Sequence, residues 1–393
     1  MHQVVLGDTE SMFTKRFATG SIALLAIAVV LLIAGSLLPR SPLISLSPDQ
    51  PANASMLDAA EGKLASDKMM INPVNYTYLA GANLSNDAGQ GHVYQLLLEG
   101  RPESVLARAA AALGVSGEVK QSSQWSPESP SYFIGTEDGT GSSVNIWWGG
   151  TGNWYFNNFV TASEPECKIT QKAEDGSEYC SEYVEQKPTP ELLPSESQIV
   201  RDALRIFNAT GLSVSKQEIS VYKDDWSAGA SASLSVAGQE TAITWNIGYD
   251  SKGRLAWAGG HSVRVVDRGS YDTVSAVAAV QRLSDWRWYG SPAQGEFPVY
   301  SVTNRDVSTP AQPEQQPTEV TVTIKAAKPL LLQVWDKNFG SWLVPGLALT
   351  GDEGSVNFVV SLIEGVIELP DPVMVEPMVD PMFGLGGASG NKG

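Results

Sequence analysis

The sequence predicts an α+β protein: a single N-terminal transmembrane helix, then an ectodomain of two related helix-plus-antiparallel-sheet units and a small C-terminal β subdomain. Three observations predict it. Residues 17–38 form an apolar run with no charge between Arg16 and Arg40. Two stretches each set an amphipathic helix before alternating, tryptophan-bearing strands. A late block, residues 319–369, is rich in Val, Leu and Ile at strand spacing.

Residues 1–16 read as a short cytoplasmic tail without a motif. The run at 17–38 is long enough to cross a bilayer core of roughly 30 Å at about 1.5 Å per helical residue. Lys15 and Arg16 before it, against Arg40 after it, place the N-terminus inside and the C-terminal domain outside the cell membrane. A cleaved signal peptide shares the basic start and the apolar middle. The run is longer than an ordinary signal core, however, and its one small-x-small site, Ala34-Gly35-Ser36, lies inside it. An uncleaved anchor is the favoured reading. Residues 39–91 read as a polar stalk, with one weakly amphipathic patch over 52–70.

The first unit spans 92–190. Pro102 suits a first helical turn and Gly114 a C-terminal stop, with Val105, Leu106, Ala109, Ala112 and Leu113 on the apolar face. The second unit spans 191–306. Ser195 and Gln198 have capping-box spacing, Ile199, Ala203, Ile206 and Phe207 make the face, and Gly211 ends it. At an offset of 97, Arg108, Gly114 and Ser116 match Arg205, Gly211 and Ser213. Each helix leads to a hairpin, SSVNIWWGGTGNWYFNNF in the first unit and TAITWNIGYDSKGRLAWAGG in the second. This shared order points to an internal duplication, with convergent patterning as the alternative. A third helix, TVSAVAAVQRLSDW, is expected after a cap at Ser270 or Asp272. Residues 307–318 form a linker by composition, 319–369 the β subdomain with a turn over 336–340, and 370–393 a disordered tail.

The net charge is −17; subtracting the +1 of residues 1–40 (Lys15, Arg16 and Arg40 against Asp8 and Glu10) leaves −18 outside. A field of that sign repels nucleic acid and favours cations or basic partners. Cys167 and Cys180, an even pair outside the membrane, form a disulfide in this reading. Two free thiols are the alternative. A zinc pair lacks both CxxC spacing and a nearby histidine.

Candidate chemistry is sparse. His92 and His261 are the two histidines beyond the membrane run, and no G-x-S-x-G elbow surrounds a serine. Ser213 and Lys216 match S-x-x-K without its companion motifs. H-x-x-x-H, H-x-H and CxxC are missing; Asp336 and Asn338 open like a calcium loop, but Leu347 stands at the twelfth position. No cofactor is implied. The acids Glu137, Asp138, Asp224, Asp225 and Asp250 fall in turns, where solvated carboxylates are ordinary. Tryptophan is the richer feature, at eleven residues. Alternation puts Val144, Ile146 and Trp148 on one face of a strand and Asn145 and Trp147 on the other; Trp154 and Phe156 oppose Tyr155 and Asn157 on the next. Trp147, Trp148, Trp154 and Tyr155 are therefore the candidate binding residues. The competing reading buries them as sheet core on both sides.

The two helix-then-hairpin units, WNIGYDSKGRLAWAGG, TVSAVAAVQRL and QVWDKNFGSWLVPGLAL together resemble single-pass envelope proteins of actinobacteria, of unassigned function. More distantly they are similar to the YycH/YycI and PepSY-like ectodomains. The resemblance covers about 195–349. It implies an ectodomain that binds partners or regulates envelope signalling and does not turn over substrate. The sequence thus points to a membrane-anchored extracytoplasmic binding or regulatory protein, with one membrane span, an envelope protein or glycan as partner, and no nucleic acid. The alternative is a carboxylate-dependent hydrolase of envelope polysaccharide.

Overall fold

The computed structural model describes residues 41–48, 74–159, 166–173, 175–184, 187–296 and 318–372. The tail at 1–16, the apolar run at 17–38, the patch at 52–70, the linker up to 317 and the chain from 373 lie outside the described residues. Among those described, no helix is long and apolar enough to cross a membrane.

In chain order the elements are β1 (Ile44–Ser45), β2 (Val74–Ala80), β3 (Gly89–Leu98), α1 (Pro102–Leu113), β4 (Lys120–Gln121), β5 (Ser131–Gly135), β6 (Ser142–Trp147) and β7 (Trp154–Asn158). Then come β8 (Cys167–Lys172), β9 (Glu178–Tyr183), α2 (Glu196–Ala209), β10 (Ser220–Lys223), β11 (Ala228–Val236), β12 (Gln239–Tyr249) and β13 (Leu255–Gly260). Last are β14 (Val263–Thr273), α3 (Ala276–Val280), β15 (Thr318–Trp335), β16 (Ser341–Gly351), β17 (Val356–Val360) and β18 (Ile367–Glu368). The expected α+β class is therefore corrected: the described chain is mostly β, with three α-helices, one of them a five-residue piece. The reason is strand pairing between segments far apart in sequence. It recruits the supposed stalk, which supplies β1, β2 and the start of β3. It also carries β14 through Thr273, so that neither Ser270 nor Asp272 caps a helix; Ser275 caps the short α3 through Ala278 N–H at 3.1 Å.

Helix α1 starts at Pro102 and ends at Gly114, whose φ of 74° is the left-handed stop that glycine adopts freely. Helix α2 buries Ile199, Val200, Ala203, Ile206 and Phe207. Its expected capping box does not form: the Ser195 hydroxyl lies 3.1 Å from that of Ser197 and caps no backbone N–H. Arg205 of α2 donates instead to the Ala112 carbonyl, satisfying an orphan acceptor in the last turn of α1.

Both helices pack on one antiparallel sheet of eight strands, ordered β10-β11-β12-β13-β7-β6-β5-β4. Each helix is thus followed by four strands in a meander, and the two meanders join through β7 and β13, which pair Trp154 with Gly260 and Asn157 with Trp257. The helices and the inward faces of these strands, Val144, Ile146, Trp154, Phe156, Ile243, Trp245 and Ile247, make one core.

A second sheet runs β14-β3-β16-β15-β2, with β17 also on β16. The late strands are therefore no separate subdomain: they share a sheet with β3 and β14. Strand β16 changes partner midway, pairing Ser341–Leu343 with β3 and Gly346–Thr350 with β17. Pro345, which has no N–H to give, sits at the change. A third piece, β8 and β9, is a hairpin exposed along almost its whole length. Cys167 and Cys180 are disulfide-bonded in it, with Cα atoms 5.7 Å apart. A lone two-stranded hairpin is marginal in water, and the cystine offsets that by restricting the open chain. Reducing this disulfide is expected to leave the main melting transition in place and to speed amide exchange in β8 and β9 alone. Hydrogen–deuterium exchange by mass spectrometry checks it; lost protection in β5–β7 would contradict it.

Candidate ligand-binding face

A hollow of about 790 Å³ lies where β3 separates from β16. Its floor is apolar, with Leu330, Leu331 and Leu347 mostly buried. His92 sits on its wall with Nδ1 2.9 Å from Asp267, and both side chains are about half exposed. His92 hydrogen-bonds this carboxylate, stacks with the Tyr94 ring and has Ser270 as its cross-strand neighbour on β14.

The acids singled out from the sequence do not converge. Glu137 accepts from the Ser123 N–H at 2.7 Å, Asp138 from the Thr140 hydroxyl at 2.7 Å, and Asp224 from the N–H groups of Trp226 and Ser227, both at 2.7 Å. Those hydrogen bonds hold all three carboxyls below their usual range, so they stay ionised. Asp250 pairs with Arg254 at 3.0 Å. A general acid must carry a proton near neutral pH, which the settings of Glu137, Asp138 and Asp224 disfavour. Among the described residues no group of three or more His, Cys, Asp or Glu could hold a metal ion.

Helices α1 and α2 pack on one face of the eight-stranded sheet; on the other, among the described residues, Tyr155, Tyr222 and Trp257 stay exposed, whereas Ser143 and Phe133 toward β5 are buried. Cross-strand register lays a row over that open face: Tyr222 opposite Gly229, Gly229 opposite Gly248, Gly248 opposite Trp257, Trp257 opposite Asn157 and Asn157 opposite Ser143. The two glycines are what let the rings lie down. A Cβ on Gly248 would come 2.1 Å from the Trp257 indole, and one on Gly229 would come 2.5 Å from the Tyr222 ring. Each ring covers a glycine backbone and keeps an outward surface, with Tyr222 44 % and Trp257 39 % exposed. Tyr155, 49 % exposed, sits diagonally from Trp257 across the β7–β13 junction. Next to these rings is a shallow depression of about 340 Å³ lined by Asn157, Thr244, Asn246, Trp257 and Gly259.

His261 closes one end of the depression. Its Nδ1 lies 2.8 Å from the Thr151 hydroxyl, its ring stands edge-on to Trp245, and it also hydrogen-bonds the Thr244 backbone. Enclosure pushes its pKa down to about 4, against a smaller opposing effect of the Thr244 bond. The ring is thus neutral at physiological pH.

The four predicted residues part company. Tyr155 is on the open face. Trp147 also points outward but is half-buried, its N–H donating to Ser129 Oγ at 3.1 Å and its ring lying against Gly149. Trp148 packs against the core from the edge. Trp154 is wholly buried at 0 % exposure, its indole N–H without an acceptor, and it is corrected from a binding residue to a core residue. Trp257 and Asn246 lie in the second hairpin, whose aromatic face the sequence also offers for binding; Tyr222 and Asn157 are not among the candidate binding residues. The signature of the row, aromatics placed opposite glycines, exists only once the strand register is known.

No family model and no curated protein matches this chain. Among solved structures, an uncharacterized protein from Eubacterium rectale is similar over 74 % of this chain and 88 % of its own, with 10 % identity and a TM-score of 0.36. A likeness that loose fixes neither fold nor function.

The burial pattern and the low pKa of His261 each carry a prediction. Trp154→Ala is expected to cost about 3–5 kcal/mol in urea unfolding, whereas Tyr155→Ala and Trp257→Ala should each cost less than about 1 kcal/mol. The second concerns acid. The pKa of His261 lies below its ordinary 6.5 in the folded state, so its contribution is present above pH 6.5 and is lost as pH falls toward about 4. His261→Gln should flatten that acid limb, and the imidazole proton resonance should titrate with a midpoint near 4.

Proposed function

We propose that this is a membrane-anchored, extracytoplasmic protein of the cell envelope that acts by binding, through the open face of its eight-stranded sheet. One observation carries the reading: three aromatic rings, Tyr155, Tyr222 and Trp257, stay 39–49 % exposed on a single face beside a depression lined by side-chain amides. Ligand sites characteristically combine apolar rings with a few placed polar groups. The tether is the uncharged run at 17–38, and the cystine suits an oxidising compartment. The carboxylate-hydrolase alternative gains no support, because Glu137 is engaged by Ser123, Asp138 and Asp224 by their own turns and Asp250 by Arg254.

Protease added to intact cells is expected to digest the chain beyond residue 40. Fractionated envelope extract, added to the full-length protein in detergent micelles, should slow amide exchange in β7, β12 and β13. A footprint confined to the hollow between β3 and β16, or none from any fraction, would sink the proposal.

A further inference from the structure

We infer that the open face takes a neutral, linear oligosaccharide laid across the strands, over Tyr222, Trp257 and Tyr155. This rests on the reading that the open face is the binding surface, and it names the ligand class.

Charge is the first argument. The chain carries a net −17, and Trp257, Tyr155, Asn157, Asn246 and Thr244 at the depression are themselves uncharged, with Lys223 and Asp224 beside Tyr222 at the far end of the row. An anionic polymer would be held off by the field of the whole molecule. A cationic one would find Asp224 beside Tyr222 but no carboxylate among the residues lining the depression, which counts against it. A neutral ligand meets neither obstacle.

Ring geometry is the second. Trp257 and Tyr222 lie over Gly248 and Gly229 and keep part of each ring exposed to solvent. A sugar ring has an apolar C–H face that suits such a platform and a rim of hydroxyls. The amides of Asn157 and Asn246 each bring donors and an acceptor for that rim, and the Thr244 hydroxyl can do either. The row also has the right run: it crosses β10, β11, β12, β13 and β7 in turn, and four steps at about 4.8 Å make roughly 19 Å. That length suits several linked sugar rings.

Backbone pairing is the third argument, and it separates a glycan from a peptide. Extended peptides are commonly held by main-chain hydrogen bonds at a sheet edge. Strands β11, β12, β13, β7 and β6 are each flanked on both sides, so the centre of this face presents side chains and no free ladder.

The test uses the full-length protein in detergent micelles and three hexasaccharides of like size: cellohexaose, the anionic hexagalacturonate and the cationic chitosan hexamer. Titration calorimetry is expected to show saturable binding of cellohexaose with little salt dependence. Trp257→Ala and Tyr155→Ala should each weaken it about tenfold. Gly248→Ala, which pushes the indole aside and keeps the residue, should weaken it as well. Trp286→Ala removes a 39 % exposed ring elsewhere and should leave binding unchanged. Tighter binding of either charged hexamer overturns the inference, as does cellohexaose binding that survives the Tyr155→Ala/Trp257→Ala double change. Failure of all three hexamers, with an envelope-extract footprint still on β7, β12 and β13, overturns the ligand class and leaves the face as the site. Loss of that footprint too would remove the reading beneath it.

Discussion

The pairing of β7 with β13 is the constraint on which the rest depends. It spans the positions from Trp154 to Asn157 and from Trp257 to Gly260. With it, two four-stranded meanders become one sheet, α1 and α2 share a single core, and the opposite face becomes wide enough to hold a row of rings. Its partners are about a hundred residues apart in the chain, so forming it costs loop-closure entropy that local contacts cannot offset. The helices supply part of the offset by packing on each other, where Arg205 reaches the Ala112 carbonyl.

Glycine makes the second condition. In a strand interior glycine weakens pairing and packs nothing, which argues against placing two of them opposite each other. Gly229 and Gly248 do face each other, and the penalty is met by the rings of Tyr222 and Trp257 lying over them. Covering glycine is a structural service, and it explains where the rings lie. It does not explain why tyrosine and tryptophan should then keep two-fifths of their surface in water, where a smaller apolar group would cover the backbone with less exposure.

Local patterns were legible in the sequence and distant ones were not. Pro102 and Gly114 delimit α1 as their chemistry dictates, and the turn at Asp336 forms with its carboxylate accepting from Asn338 and Gly340 N–H, both at 2.8 Å. Alternation correctly sent Tyr155 and Trp154 to opposite faces of β7. It could not say which face the helices cover, and so Trp154 and Tyr155 looked equally eligible. The stalk was misread because Val74–Ala80 looks polar and short by itself; only its parallel pairing with Thr318–Ile324, more than two hundred residues later, makes it a strand. The fold class failed for the same reason, since each such pairing adds strand where composition suggested coil.

An exposed aromatic surface is a hazard unless the sheet that carries it is protected at its edges. Here the edges are blunted. Strand β4 has two residues, one of them Lys120, and β10 has four, ends on Lys223 and is followed by Asp224 and Asp225. Short, charged edges discourage a second chain from extending the ladder. With the edges closed and every central strand paired on both sides, the backbone offers nothing to a partner. What remains available is the side-chain surface of the open face. A molecule that recognises this sheet must therefore do so by lying on it, reading rings and amides, and not by joining it.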